Sequence, residues 1–544
     1  MTRLQRLTEV FGSVFRNRDL RRLELGFAAF NAAEWGTWIA MLVYAYRHGG
    51  AMTAGLVAVV QLVPAAVLSP VTASFADRRR PAAVLRAGYV VQAAAIGATA
   101  AALLLGLPPF VVYALAAVAV TTITVTRPTQ AALVPSLAHS PEEVTATTVL
   151  SGWIESVAVL AAPAVTGGLL AVGSPGLVFA VMAGCALAAA LAVLRIVGPH
   201  PVARLSTGPL DDAVHAARLV ARTPGAPLLV GVVGSQYVLI GALDVLFVVL
   251  AIGVLDLGGS GAGYLNAAFG AGGVVGIVAT SLLVGRRRLA PPLALGGAVF
   301  SFALILIGLV PTAAATAALL VAAGVGRTLL DIAGRALLLR TAPPVVAARA
   351  FGLLEGAAMG GLALGSLLVP AIVELSGPRT TCVVLGCLLP LGALVVGRRL
   401  LAADASATVP VVEIGLLRSL PLFAPLAPCE LEALAMRLEP LEVGTGVPVV
   451  RTGERGDRFY LVAHGTLEVR VDGRPVRRLA HGDGFGEIAL LRNVPRTADV
   501  VALEPSRLYA LCKPDFIAAL AMHPSAARER EQLLDAHVGA ELVA

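Results

Sequence analysis

The chain has 544 residues; 57% of them are hydrophobic, only 14% are charged, and the mean hydropathy is +0.84. This composition excludes a soluble globular protein and indicates one that resides in a lipid bilayer. The net charge of +7 would suit nucleic acid, but the arginines are spread over alternate loops and form no single patch, so we expect no nucleic-acid partner.

Twelve apolar stretches follow a basic N-terminal segment. Residues 1–22 are amphipathic and lack a small-residue cleavage site, which predicts a retained cytoplasmic N-terminus. A bilayer core of about 30 Å is spanned by about 20 apolar residues, and runs of that length fill residues 23–401. We therefore predict an α-helical membrane protein with twelve transmembrane helices. Their approximate ranges are 23–46, 52–76, 83–106, 109–134, 145–172, 176–197, 226–253, 261–284, 289–310, 313–339, 346–374 and 380–397.

The loops between these stretches differ in charge. Arginine clusters such as 78–80 and 286–288 fall on the same side as both chain ends, whereas only Arg47 and Arg379 fall on the other side. Loops rich in positive charge stay in the cytoplasm. We expect a multi-pass protein of a bacterial-type plasma membrane with both termini in the cytoplasm.

The membrane part is internally repeated. A shift of about 200 residues pairs Arg127 with Arg327, and the segment 152–155 with 352–355. Two six-helix repeats joined by a polar linker are typical of secondary transporters. The predicted domains are the N-terminus 1–22, the first half 23–197, the cytoplasmic linker 198–225, the second half 226–401, a linker 402–415 and a soluble domain 416–544.

Two motifs resemble those of the major facilitator superfamily. The segment 73–80 resembles the family's Gly-x-x-x-Asp-Arg/Lys-x-Gly-Arg-Arg/Lys motif between helices 2 and 3, with Ala73 in place of the first glycine. The segment 160–168 resembles the Gly/Pro-rich motif of exporters, with fewer glycines. The resemblance covers residues 10–401 and is closest to the drug-exporter and siderophore-exporter branches. It implies a central cavity surrounded by helices 1, 2, 4, 5, 7, 8, 10 and 11.

Ionisable residues at membrane depth are costly and mark candidate functional sites. In this chain they are absent from the interior of helices 3, 6, 9 and 12, which the resemblance places at the periphery. The candidate transport and coupling residues are Glu34, Arg127, Glu155, Asp244, Arg327, Asp331 and Glu355.

Four of these residues form two predicted ion pairs. Arg127 and Glu155 lie equally far from Pro141, the expected turn of a helical hairpin, and so at the same depth. Arg327 and Glu355 are related in the same way about Thr341. We predict one buried pair in each half, serving as gate or scaffold or as substrate ligands.

Glu34 and Asp244 have no evident partner on their own helices. A carboxylate at membrane depth without a partner suits a proton carrier. Glu34 also lies in a polar and aromatic stretch, 31–38, which could contact an organic substrate. We therefore predict that both residues take part in coupling or substrate binding.

The composition changes after Arg399. A helical pattern over 416–438 precedes short alternating runs that are separated by glycines, which predicts a small antiparallel β-barrel with flanking helices. The segments 515–520 and 524–538 are expected to be lid helices that close over a ligand.

Residues 482–498 resemble the phosphate-binding cassette of cyclic-nucleotide-binding domains such as that of the catabolite activator protein. Gly486 permits close approach of the backbone, and first-turn amides of the following helix can point at a phosphate. An arginine on the strand that follows supplies a charge-assisted hydrogen bond. The resemblance implies that Glu487 accepts the ribose 2′-hydroxyl and that Thr497 contacts phosphate or purine. The predicted nucleotide site is Phe485, Gly486, Glu487, Ile488, Ala489, Arg496 and Thr497.

These observations favour a transporter regulated by cyclic AMP, or alternatively cyclic GMP, that exports a small organic or amphiphilic compound in exchange for protons. A non-transporting membrane sensor and a lipid translocase are the alternatives. We expect neither an enzyme nor a metal or cofactor, because the sequence has no ATP-binding loop or nucleophile–base arrangement and its five cysteines have no C-x-x-C spacing.

Overall fold

The chain folds into two compact units, one formed by Met1–His139 and Ala146–Ala407 and the other by Ser140–Thr145 and Thr408–Ala544. The computed structural model describes residues 12, 14–77, 80–138, 141–196, 209–223, 225–280, 288–341, 344–406, 411–420, 422–423, 426, 431, 434–492 and 494–521.

The first unit is helical throughout its described residues. Many of its helices begin at proline, whose fixed φ and missing N–H suit the first helical position. The helices are α1 (Arg18–Asp77), α2 (Pro81–Leu104), α3 (Pro109–Thr121), α4 (Ile123–Leu137), α5 (Pro141–Val172), α6 (Pro175–Val193), α7 (Pro209–Arg222), α8 (Ala226–Gly253), α9 (Gly258–Thr280), α10 (Ala290–Leu309), α11 (Ala313–Thr341), α12 (Pro344–Ser376) and α13 (Pro378–Ser406).

Eleven spans in the described residues are long and apolar enough to cross a membrane, judged by length and composition. The first of them is interrupted at Gly49 and Gly50, where the backbone leaves helical geometry. Gly50 has a φ of 67°, which glycine adopts without steric cost. This break lies between the first two predicted helices, and the count of twelve in two repeats stays a prediction.

Glycines bring several helices of this unit into backbone contact. Gly241 of α8 faces the backbone of Leu362 in α12, and Gly365 of α12 faces the carbonyl of Val238 in α8. A Cβ on Gly263 of α9 would lie 2.5 Å from the Pro163 carbonyl oxygen of α5. Small residues at such crossings permit the close packing that holds apolar helices together in lipid.

The second unit contains two four-stranded antiparallel sheets. One has the order β1-β8-β3-β6 and the other β2-β7-β4-β5. Its elements are α14 (Val411–Ser419), β1 (Glu439–Val443), β2 (Pro448–Val450), β3 (Arg458–His464), β4 (Leu467–Val471), β5 (Arg474–Leu479), β6 (Gly484–Phe485), α15 (Glu487–Arg492), β7 (Asp499–Ala502), β8 (Ser506–Cys512) and α16 (Lys513–Ala521).

The predicted barrel is therefore wrong in one respect: in the described residues the strands form two separate sheets and no closed barrel. The alternating pattern that predicted the strands is the same in both architectures, because it reports one buried face per strand. Apolar side chains between the sheets, including Val462, Leu467 and Leu508, form the core.

A second apolar cluster joins the helical segments of this unit to β3. Phe423, Phe459 and Phe516 pack with ring centroids 4.8 to 6.0 Å apart. Phe423 precedes the sheets, Phe459 lies on β3 and Phe516 lies on α16. The predicted lid segment 515–520 falls within α16, whereas 524–538 lies outside the described residues.

Candidate functional site

A tight turn in the second unit leads from β6 into the short helix α15. Gly486 makes this turn with a φ of +95°, a left-handed conformation that L-residues with a side chain rarely adopt. A Cβ at this position would also lie 2.5 Å from Nη1 of Arg496. Both observations explain why glycine stands here, where the backbone turns directly beside a guanidinium group.

Arg496 is held in a buried position, with only 5% of its surface exposed. Its Nη1 donates to the Gly486 carbonyl at 2.9 Å, and its Nη2 donates to the Arg458 carbonyl at 2.6 Å. Its backbone N–H donates to the Glu454 carbonyl at 2.8 Å. Because these acceptors are neutral carbonyls, they orient the guanidinium without neutralising its charge, and the group remains suited to an anion.

The sequence placed Arg496 on a strand, and this detail is wrong. The residue lies in the loop between α15 and β7, after the isolated bridge of Pro495 with Arg455. The loop is fixed at its far end, where the Thr452 N–H donates to Asp499 Oδ1 at 2.7 Å. This hydrogen bond holds the pKa of the Asp499 carboxyl below its usual value, so the carboxylate stays ionised at neutral pH.

Aromatic rings form one wall beside Arg496. Tyr460 of β3 pairs in register with Phe485 of β6, and their rings stack at 5.1 Å. The Arg496 guanidinium carbon lies 5.8 Å from the centre of the Tyr460 ring, a cation–π distance. Burial raises the pKa of Tyr460, more than the nearby Arg496 lowers it, so the ring remains a neutral phenol at neutral pH.

The remaining predicted residues surround the same turn. Glu487 and Ile488 are half-buried at the start of α15, and Ala489 is buried against Gly456. The first-turn amides of a helix have no acceptor within it, which leaves those of Ile488 and Ala489 free for an external one. Thr497 is exposed next to Arg496. The structure thus brings all seven residues together.

A second candidate site lies among the helices of the first unit. Two adjoining cavities of about 240 Å³ and 220 Å³ share Trp35, Ile240, Asp244 and Arg327 as lining residues. Five of the seven ionisable residues singled out in the sequence line these cavities. They are Glu34, Arg127, Glu155, Asp244 and Arg327.

Arg127 forms the centre of a charged cluster. Its Nη1 donates to Glu155 Oε1 at 2.6 Å, and its Nη2 donates to Glu34 Oε2 at 2.8 Å and to Asn31 Oδ1 at 3.1 Å. The predicted contact of Arg127 with Glu155 is therefore confirmed, but the predicted burial of the pair is wrong, because the two side chains are 35% and 45% exposed. The expectation that Glu34 lacks a partner is wrong, because its partner is on another helix, α4, which spacing along α1 does not reveal.

Asp331 of α11 belongs to a separate polar cluster. Asp331 accepts from Arg335 Nε at 3.0 Å and from Gln236 Nε2 at 2.6 Å, and Arg335 donates to the Tyr237 hydroxyl at 2.8 Å. The Glu355 side chain lies outside the described residues, so its pairing with Arg327 stays a prediction.

Asp244 connects α8 to α1. The carboxylate on α8 has the Trp38 side chain of α1 as its hydrogen-bonding partner, and the charge of Arg327 acts on it. It is only partly buried and faces both cavities. A ligand in either cavity would therefore meet this carboxylate.

The sequence interpretation missed Glu24. This residue of α1 is only 2% exposed and accepts from Ser151 Oγ at 2.9 Å and from Gln130 Nε2 at 3.1 Å. It lies seven and ten residues before Asn31 and Glu34, a spacing that places all three on one helix face. That periodicity was the available signal, but Glu24 is only the second residue of the predicted first helix, 23–46, and was not counted among the residues at membrane depth.

Comparison with known proteins identifies the second unit. The family described as cyclic nucleotide-binding domain matches residues 440–523. A Yarrowia lipolytica cAMP-dependent protein kinase regulatory subunit is 39% identical over 104 residues, which are 19% of this chain and 28% of that protein. A Rhodopseudomonas palustris protein named as a candidate potassium channel is 32% identical over 136 residues, 24% of this chain and 33% of that protein.

Among solved structures, the Thermus thermophilus catabolite activator protein is 32% identical; the match covers 23% of this chain and 61% of that one, with a TM-score of 0.21. The chain spans a third or less of the curated relatives named above. The C-terminal unit is a cyclic nucleotide-binding domain, and the family match does not extend into the helical unit.

Proposed function

We propose that this protein is a secondary transporter of the major facilitator type whose activity is regulated by cyclic AMP. The observation that carries the regulatory part is Arg496, a buried guanidinium that is oriented by two carbonyls beside a glycine turn. A cyclic phosphate would accept from its remaining N–H groups and from the amides of α15. Glu487 would accept from the ribose 2′-hydroxyl and Thr497 would contact phosphate or purine.

Cyclic AMP is the proposed ligand because the Yarrowia lipolytica relative is a cAMP-dependent kinase subunit. Cyclic GMP is the alternative, and competition between the two nucleotides decides between them. The ligand is proposed to act from the cytoplasm, because the arginine distribution predicts that both termini lie there.

The transport part of the proposal is supported by the paired cavities and the charges that line them. Carboxylates and arginines lie beside aromatic side chains such as Trp35, Trp38 and Tyr237, a lining that suits a small organic or amphiphilic compound. We propose proton-coupled export of such a compound across a bacterial-type plasma membrane. The buried Glu24 and the cavity-lining Asp244 are the proposed coupling residues, since Glu34 is committed to Arg127.

The test uses the full chain reconstituted in liposomes. Fluorescent cyclic AMP should bind, and Arg496→Ala should weaken binding at least about tenfold, because hydrogen bonds to a charged group contribute about 1.5–3 kcal/mol. Arg474→Ala, which removes an exposed arginine of β5, is the matched control and should bind normally.

In the same liposomes, an imposed pH gradient should drive proton flux in the presence of a panel of amphiphilic compounds, and cyclic AMP should change its rate. Arg496→Ala should keep the basal flux and lose the nucleotide effect. Binding without any flux would favour the membrane sensor, and flux that ignores bound nucleotide would contradict regulation.

A further inference from the structure

The inner end of α13, the last helix of the first unit, carries a buried acidic residue. Asp404 is only 3% exposed, and its Oδ1 accepts the backbone N–H of Leu289 at 2.9 Å. Leu289 is the residue that precedes α10, and the second and third residues of that helix are Pro291 and Pro292, which have no N–H to be capped. Asp404 of α13 instead satisfies the N–H of Leu289 itself.

The chemistry of this contact favours two discrete states. A carboxylate at a helix N-terminus is stabilised by the exposed amides and by the helix dipole. The second oxygen, Oδ2, is buried without a hydrogen-bond partner among the described residues. Since a buried carboxylate is costly unless hydrogen-bonded, a loosened Asp404 would have to leave its site entirely. The contact is thus either made or broken.

Apolar packing surrounds the contact. Leu400 of α13 belongs to the same buried cluster as Leu289, Ala226 at the start of α8 and Val220 of α7. A Cβ on Gly225 would lie 3.7 Å from Ala403. The end of α13 therefore packs against α10 and against the α7–α8 junction, which lies between the predicted first and second halves of the helical unit.

Asp404 also lies only four residues before Thr408, where the C-terminal part of the second unit begins. α13 is thus the last helix of the first unit before the chain continues into the second unit. We propose that the Asp404–Leu289 hydrogen bond is a latch, and that nucleotide binding acts on the membrane helices by releasing it. This inference rests on the proposed regulation by cyclic AMP.

The experiment measures hydrogen–deuterium exchange of the full chain in lipid nanodiscs. The amide of Leu289 should exchange at least about fivefold faster with saturating cyclic AMP than without it. A factor of about five is the lower end of the coupling usually found between two linked sites. In Asp404→Ala the same amide should exchange fast in both conditions. Asp404→Asn retains a side-chain carbonyl that can accept from Leu289, and should behave more like the wild type. Arg399→Ala, an exposed change on the same helix end, is the control and should match the wild type.

Reciprocity gives an independent measurement. If nucleotide binding shifts the equilibrium toward the broken hydrogen bond, then breaking the hydrogen bond must raise the affinity for the nucleotide by the same factor. Asp404→Ala should therefore bind cyclic AMP at least about fivefold more tightly. Unchanged Leu289 exchange in a wild-type sample to which cyclic AMP is bound would overturn the latch, and so would unchanged affinity in folded Asp404→Ala. If Asp404→Ala fails to fold, the wild-type exchange decides. Absence of nucleotide binding in the wild type would instead overturn the proposed function.

Discussion

Two arginines show how the surroundings of one residue decide what it can do. Arg127 donates to two carboxylates and an amide oxygen, so its charge is more than balanced within the helical unit. Arg496 donates to two neutral carbonyls, so its charge remains available to a ligand. The first arrangement suits a fixed structural centre, and the second suits an anion site.

The members of the Arg127 cluster should contribute unequally to the free energy of unfolding, and single substitutions should show the difference. Arg127→Gln should lower the free energy of unfolding by about 2–3 kcal/mol, less than for a fully buried pair because the side chain is 35% exposed. Glu34→Gln and Glu155→Gln should each cost less than about 1 kcal/mol, because Arg127 keeps one carboxylate in either case. The order of these three losses in stability is measured by thermal unfolding in detergent, monitored by fluorescence-detected size-exclusion chromatography.

The exchange Arg127→Glu with Glu155→Arg tests the same geometry. In a simple pair the double change should restore stability. Here it should restore only part of it, because Glu34 would then face a second carboxylate. Full restoration would show that Glu34 is not a member of the cluster.

Gly486→Ala should remove nucleotide binding for a local reason. The added Cβ collides with Arg496 and also meets the cost of a left-handed backbone, about 1–2 kcal/mol. Gly473→Ala is the matched control, since Gly473 has a φ of +77° but nothing within 4 Å of a Cβ. Both variants should lose stability, whereas only Gly486→Ala should lose affinity in a binding titration. Equal affinities would contradict the assigned position of Arg496.

The sequence could predict a contact between two residues where both flank the same turn of the chain. Arg127 and Glu155 flank one turn, so equal spacing predicted their contact. The bonds of Arg127 to Glu34 and of Ser151 to Glu24 join residues more than 90 positions apart, which no spacing rule anticipates. The cassette was predictable because its residues are contiguous. Arg496 lies in a loop and not on a strand, because its backbone N–H donates to the Glu454 carbonyl of another loop. The sequence does not show this contact.

At the scale of elements, glycine spacing sets how closely the helices approach. Gly365 is buried where α12 crosses α8, and a Cβ there would meet the Val238 carbonyl. Gly360, on the same helix, is exposed, and a Cβ there meets nothing within 4 Å. The two glycines therefore have different reasons to be present, and only one of them is required for packing.

Gly365→Ala should destabilise the helical unit by about 1–3 kcal/mol, the usual cost of overpacking. Gly360→Ala should be neutral or stabilising by up to about 1 kcal/mol, because alanine is the better helix former. The difference in melting temperature between the two purified variants measures this. If both variants melted at the same temperature, the crossing of α8 and α12 would not depend on Gly365.

The sequence predicted these elements with uneven success. Helices longer than 18 residues follow from apolar length alone, and the strands follow from alternation between glycines. Whether eight strands close into one barrel depends on hydrogen bonds between strand edges, which alternation does not encode. In the described residues the edges β1, β6, β2 and β5 stay unjoined in two sheets.

For the whole molecule, the arginine distribution predicts which membrane face meets the nucleotide. Both termini are on the arginine-rich side, so the nucleotide domain should lie in the cytoplasm. Cyclic AMP is charged and does not cross lipid on the timescale of a flux assay. In inside-out vesicles, added nucleotide should therefore change the proton flux, whereas in right-side-out vesicles it should have no effect until the vesicles are permeabilised. Arg496→Ala should be unresponsive in both. A response in sealed right-side-out vesicles would place the domain on the opposite face and reverse the predicted topology of every helix that precedes it.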